Sequence, residues 1–177
     1  MNLFKFAQAT EQSGIRFYRE MADRAADEGT RRVFSMLVTD EENLLRKLEG
    51  FKRHYPDMTK MDCVNLEEKT IPFEAVCSDG RCSRITSDLE AYQLALEAER
   101  RVVEQYQQAA AAESDPRIKK MLRWLAAFER FELNEIERLY DFANAPNCSL
   151  EWGEFSNLDE FHNFGYYEDL RRGELDA

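Results

Sequence analysis

Leu122 to Ile136, LRWLAAFERFELNEI, carries two glutamates, Glu129 and Glu132, where a helix would turn them inward. Leu122, Leu125, Ala126, Leu133 and Ile136 recur at helical spacing and mark the buried stripe of an amphipathic helix. Glu129 lies inside that stripe, one turn after Leu125 and one turn before Leu133, and side chains four apart share a helix face. Glu132 follows three residues on and points the same way. A carboxylate alone in an apolar interior is costly and is normally neutralised, ion-paired or bound to a metal. The chemistry on offer is proton holding or cation binding, and the rest of the chain decides between them.

The same arrangement occurs twice, offset by 88 residues (99 − 11 and 129 − 41). Phe4, Ala7, Glu11, Tyr18 and Ala22 match Tyr92, Ala95, Glu99, Tyr106 and Ala110. Phe34, Leu37, Glu41, Leu45 and Leu48 match Leu122, Leu125, Glu129, Leu133 and Ile136. Each half reads as two antiparallel helices. At roughly 1.5 Å per residue, the two glutamates of a half stand at nearly the same height on either side of the turn. Two such hairpins packed through their apolar stripes bring Glu11, Glu41, Glu99 and Glu129 together midway along a four-helix bundle. Two divalent cations would balance four carboxylates, and one Glu from each helix is the donor set of carboxylate-bridged dimetal sites. Two other arrangements would leave the same pattern: glutamates solvated on helix surfaces, or a metal-free network answered by Tyr18, Tyr106 or Arg101.

The elements that must position these groups are legible in outline. Helical patterns run from about Leu3 to Ala26, Thr30 to Tyr55, Ser87 to Ala112, and Asp115 to about Phe142. Gly29 and Thr30 break and cap the first turn, Ser87 with Glu90 reads as a capping box, and Asp115 with Pro116 as a cap and first-turn proline. Between Pro56 and Thr86 the chain is weakly periodic and contains Pro72 and Gly80. A connection of about thirty residues is longer than most loops in a compact domain, so it is expected to cross the length of the molecule. The bundle is therefore placed at 1–143, its crossover at about 56–86, and a tail at 144–177. Trp152, Phe155, Phe161, Phe164, Tyr166 and Tyr167 make that tail too aromatic for water alone. Ser156 with Asp159 would cap a short fifth helix, and the tail is expected to pack on the bundle or on a partner subunit.

Here the chain resembles the rubrerythrin-like branch of the ferritin-like superfamily. E-x-x-G-x-x-F-Y stands as Glu11, Gly14, Phe17 and Tyr18, and F-x-x-L-x-x-x-E as Phe34, Leu37 and Glu41, with looser copies around Glu99, Tyr106 and Glu129. The resemblance spans about Leu3 to Ala143. It implies an all-α, antiparallel four-helix bundle with a long crossover between helices 2 and 3. It also implies a homodimer and a site for two divalent metal ions, usually iron, with Glu11 and Glu99 terminal and Glu41 and Glu129 bridging. Members of the family reduce peroxide, oxidise and store iron, or activate dioxygen. Each second helix of the family carries E-x-x-H, its His binding one metal, and here those positions hold Leu44 and Glu132. His54 lies too far along its helix to substitute, and His162 lies in the tail. Glu132 replaces imidazole by carboxylate, and an all-oxygen site favours harder ions, so manganese stands beside iron, with zinc a further alternative. Tyr18 and Tyr106, two turns from Glu11 and Glu99, are placed to hydrogen-bond a ligand carboxylate and orient it. The lost His positions admit a second reading, a non-catalytic bundle that serves as a scaffold or binds a single metal.

Composition removes other classes. The net charge is −11 with a pI near 4.8, and no stripe of Lys or Arg offers itself to nucleic acid or an anionic membrane. No apolar run approaches the roughly 20 residues of a membrane span, and the N-terminus turns polar too early for a signal peptide, which points to the cytoplasm. Cys63, Cys77, Cys82 and Cys148 lack the paired C-x-x-C spacing of a rubredoxin-type site, so a peroxidase would draw electrons from a separate donor. Cys77 and Cys82 bracket a turn-like SDGR and are candidates to pair or to share a metal, but reduced thiols are the expected state.

Overall fold

The computed structural model describes residues 1–63, 66 and 71–146 in full and the backbone of 147–173. It forms two compact units, Met1–Arg138 and Leu139–Ala177. Five α-helices are described: α1 (Leu3–Arg24), α2 (Glu28–His54), α3 (Pro72–Cys77), α4 (Asp88–Ala112) and α5 (Pro116–Gly173). No strand forms among the described residues, only one isolated bridge between Asn2 and Asp62. No helix is long and apolar enough to cross a membrane among those residues. The protein is all-α, with α1, α2, α4 and the first part of α5 making the ferritin-like bundle.

Each helix starts where a side chain can answer its free N–H groups. Asn2 caps α1, accepting from Phe4 N at 2.9 Å. Asp27 caps α2, accepting from Thr30 N at 2.9 Å, so the helix begins at Glu28 and the expected boundary at Gly29 and Thr30 falls inside it. The reason is chemical: a carboxylate at 27 reaches the N3 amide, whereas Thr30 is buried within the first turn. Ser87 caps α4 through Glu90 N at 3.3 Å. The Glu90 carboxylate reaches back in turn, and beyond Ser87 it accepts from the amide and hydroxyl of Thr86 at 2.7 and 2.9 Å. Asp115 precedes α5 and accepts from Arg117 N and Ile118 N at 2.8 and 3.3 Å.

The helices are held to one another by rings and ion pairs around the apolar stripes. Phe6 of α1 meets Tyr106 of α4 edge-on at 5.9 Å, Phe34 of α2 meets Tyr92 of α4 at 5.1 Å, and Phe51 of α2 meets Trp124 of α5 at 5.1 Å. Arg100 of α4 pairs with Glu137 of α5 at 2.9 Å, and Arg19 of α1 with Glu42 of α2 at 2.6 Å. These exposed pairs contribute little, and the stripes carry the packing. The turn after α1 is tied to the start of α4, since Asp88 accepts from the amides of Ala26 and Asp27, both at 3.0 Å.

The crossover follows α1 from end to end. At its start Asn2 Nδ2 donates to the carbonyls of Met58 and Met61 at 2.9 and 2.8 Å, and Cys63 N donates to Met1 O at 3.1 Å. Midway, α3 lays Phe73 against Phe17 and Tyr18 at 5.5 and 5.6 Å. At its end Arg24 donates to the carbonyl of Cys82. Among its described residues, Met58, Leu66, Ile71, Phe73 and Val76 are buried in the core. Cys77 and Cys82 form a disulfide, correcting the expectation of reduced thiols. Gly80, at φ 76°, supplies the left-handed residue that folds the intervening turn back and brings the two Cα atoms to 5.1 Å.

In the second unit α5 continues through Pro146 rather than ending near Phe142. A proline removes one donor and costs about 3 kcal/mol inside a helix, but its φ is helical, and Ala143 and Ala145 before it are strong helix formers. The aromatic side chains of the tail, His162 and Cys148 lie outside the described side chains.

Candidate metal centre

Glu11, Glu41, Glu99 and Glu129 come from four different helices and are 1, 2, 1 and 1% exposed; Glu132 is 7% exposed. Solvated glutamates are thereby excluded. Each keeps a buried oxygen with no hydrogen-bond partner: Oε1 of Glu11 and Glu129, and Oε2 of Glu41, Glu99 and Glu132. The arginine that could have answered them, Arg101, turns outward and pairs with Glu97 at 2.6 Å. Glu99, Glu129 and Glu132 each place a carboxylate oxygen within 4.8 Å of the others.

Electrostatics follow from this crowding. Burial, and then repulsion from Glu129, drives Glu11 well above the usual carboxylate range. Burial, then repulsion from Glu11, does the same to Glu41, which holds a proton that it donates to Glu11. Burial and then Glu99 raise Glu129 likewise. Burial pushes Glu99 to about 7, against the hydrogen bond it accepts from Tyr18. Burial, Glu99 and Asp40 push Glu132 to about 8, and Lys47, seated 4.5 Å over the Phe128 ring, offsets only part of this. Five carboxyl groups cannot all ionise in one dry space. Protons or cations must neutralise them.

The two tyrosines are fully buried. Tyr18 donates its hydroxyl across the bundle to Glu99, so it serves the opposite hairpin and not Glu11 on its own helix. Tyr106 lies in the field of Glu11 and Glu129, and Thr10 of α1 is the side chain beside its hydroxyl. Burial, followed by these carboxylates, raises both phenols well above the usual range, so each keeps its proton. Leu44, where the family has a histidine, is 0% exposed and offers no donor. His54 is exposed, its Nδ1 2.9 Å from Gly50 O, and takes no part.

Two contributors were not legible in the sequence. Phe73, from the aperiodic crossover, walls the site beside Tyr18. Gly14 is a place of close approach: a Cβ there would lie 2.5 Å from Glu41 Oε1 and 3.1 Å from Phe73. The motif E-x-x-G flagged the glycine, but its reason is visible only once α2 and α3 are in place.

The residues fit a metal centre. Five inward carboxylates with orphaned oxygens, and no basic side chain paired to them among the described residues, are the donor set of a hard or borderline divalent cation. A helical bundle with one such glutamate per helix defines the ferritin-like carboxylate proteins. Within that class the chain belongs to the rubrerythrin family, whose model matches residues 2–140. No curated protein and no solved structure matches it.

Proposed function

We propose that this protein is a rubrerythrin-type non-haem dimetal oxidoreductase, most simply a di-iron one, that acts on peroxide, dioxygen or iron itself. The observation that carries this reading is the set of five buried carboxylates, each with an unanswered oxygen. Glu11 and Glu99 are assigned as terminal ligands, Glu41 and Glu129 as bridges, and Glu132 as a further ligand in place of histidine. Bound ferrous ions would supply the reducing electrons and an open coordination position for an oxygen substrate. Tyr18 holds Glu99 in one orientation, and its high phenol pKa keeps that hydrogen bond donated at any physiological pH. The apolar shell of Phe34, Phe73, Leu44 and Leu125 excludes water and strengthens every charge interaction inside. A separate electron donor and a homodimeric state complete the proposal.

Leu44 favours a second reading, a bundle without turnover. Changing Glu11, Glu41, Glu99 and Glu129 together to Gln separates the two. A working centre loses its retained metal in this variant and, with it, the stabilisation that metal confers. If instead purified wild-type protein holds less than about half an equivalent of transition metal after anaerobic iron loading, the dimetal reading fails.

A further inference from the structure

The two halves of the centre are not equivalent. In the second half, Glu99, Glu129 and Glu132 form the one group of three potential ligands whose oxygens converge within 4.8 Å among the described residues. Each also keeps an oxygen that is buried and without a hydrogen-bond partner. Tyr18 fixes Glu99 from the far side. In the first half the position equivalent to Glu132 is Leu44, fully buried and without a donor atom. Glu41 Oε1 also occupies the space left by the missing Cβ of Gly14, against α1, whereas the repeat has Val102 at the matching position. A cation on that side has Glu11 and Glu41 and no third ligand of its own.

We infer that the centre consists of two unequal positions: a resident site for one hard divalent cation at Glu99, Glu129 and Glu132, and an exchangeable position at Glu11 and Glu41 from which a second cation comes and goes. This rests on the metal-centre reading above and adds to it that the second ion is transient. The exchangeable ion is suited to be cargo, as in iron handling, because the site that receives it lacks the ligand that would retain it.

The test uses the intact chain loaded anaerobically with Mn²⁺ and, separately, with Fe²⁺, then gel-filtered and analysed for metal, with the Mn²⁺ signal read by electron paramagnetic resonance. Wild-type protein should retain one equivalent, with the spectrum of an isolated ion, while a second equivalent binds in excess metal and is lost on filtration. Glu132→Gln, which keeps the shape of the side chain, should weaken retention on the order of 100-fold or more, since even groups that only orient a ligand are worth 10–100-fold. Leu44→His, which restores a third ligand to the weak side, should retain two equivalents and give the signal of a coupled pair. Circular dichroism on each variant verifies that it is folded. Wild-type protein that keeps two equivalents through filtration, with the signal of a coupled pair, overturns the inequality and leaves the dimetal reading standing. Absence of retained metal in both wild type and Leu44→His overturns the two together.

Discussion

The two helical hairpins share one template and differ where metal chemistry would be decided. Both place a glutamate on each helix at matching positions, both put a buried tyrosine two turns beyond the first, and both begin the second helix with an aspartate cap, Asp27 and Asp115. The first hairpin then has Gly14 and Leu44, and the second Val102 and Glu132. The cross-links differ as well. Tyr18 of the first hairpin is bonded to Glu99 of the second, while the hydroxyl of Tyr106 makes no matching bond to a carboxylate of the first. A duplicated scaffold thus does not oblige its two halves to do the same thing; a few core substitutions give one half an additional buried carboxylate and the other a closer packing of helix against carboxylate.

The sharpest way to break this comparison is to make the second hairpin resemble the first. Glu132→Leu copies Leu44 and should abolish retention of a cation after desalting, the largest effect expected at any one position. If retention is unchanged, Glu132 is not a ligand. A smaller but more general effect concerns pH. In metal-free protein Glu99 and Glu132 titrate at about 7 and 8, far above an unfolded glutamate, because burial penalises their charged forms. Between about pH 5 and 8 the native state therefore holds more protons than the unfolded chain, and stability falls as pH rises, by on the order of a few kcal/mol. Thermal melts in chelator at pH 5, 6, 7 and 8 should show a falling midpoint, and a saturating divalent cation should remove or reverse the slope, because ligands must ionise to bind. A metal-free midpoint that climbs with pH over this range would mean the carboxylates are not buried together.

The repeat made the four bundle helices and Glu11, Glu41, Glu99 and Glu129 readable before any coordinates, because a lone glutamate in an apolar stripe is a strong signal when it recurs with its neighbours. Glu132 was readable by the same three-residue spacing. What could not be read was set by parts of the chain without period. Phe73 enters from a crossover where only packing on α1 fixes the backbone, and the Cys77–Cys82 pairing depends on a turn whose direction is set by Gly80. Asp27 is masked as a cap in the sequence by the Gly29–Thr30 pair two residues on, which has the look of a helix break. The hydroxyl of Tyr18 was assigned a ligand-orienting task, but that its target belongs to the opposite hairpin is a fact of helix packing and not of spacing.

Gly14 gives a test in which two effects oppose each other. On an exposed helix, Gly→Ala stabilises by roughly 1 kcal/mol through chain entropy. Here the added Cβ would sit 2.5 Å from Glu41 Oε1 and 3.1 Å from both the Glu41 carboxyl carbon and Phe73, and overpacking of this kind typically costs 1–3 kcal/mol. Crowding should win, so Gly14→Ala is expected to lower the melting midpoint and displace Glu41. The matching change in the second hairpin, Val102→Ala, removes buried methyl groups instead and should also destabilise, by about 1–3 kcal/mol, without disturbing Glu129. If Gly14→Ala proves stabilising, the close approach of α1 to Glu41 does not exist in solution.

The smallest expected effect compares the two aspartate caps. Asp27 accepts one helix amide, from Thr30 N, and its replacement by Ala should cost about 1 kcal/mol, or roughly 2–4 °C in midpoint for a chain of this size. Asp115 accepts two, from Arg117 N and Ile118 N, and also pairs with the Arg117 guanidinium at 3.0 Å. The Arg117 side chain and then its amide hold the Asp115 carboxyl down to about 2. Its contribution is therefore present above the pKa of an unfolded aspartate and is lost as pH falls toward 2. Asp115→Ala should lower the midpoint at pH 7 more than Asp27→Ala does, and the difference should shrink in acid. Equal losses at both pH values would mean that the repeat extends to the energetics of its caps, and that the inequality of the hairpins is confined to their core.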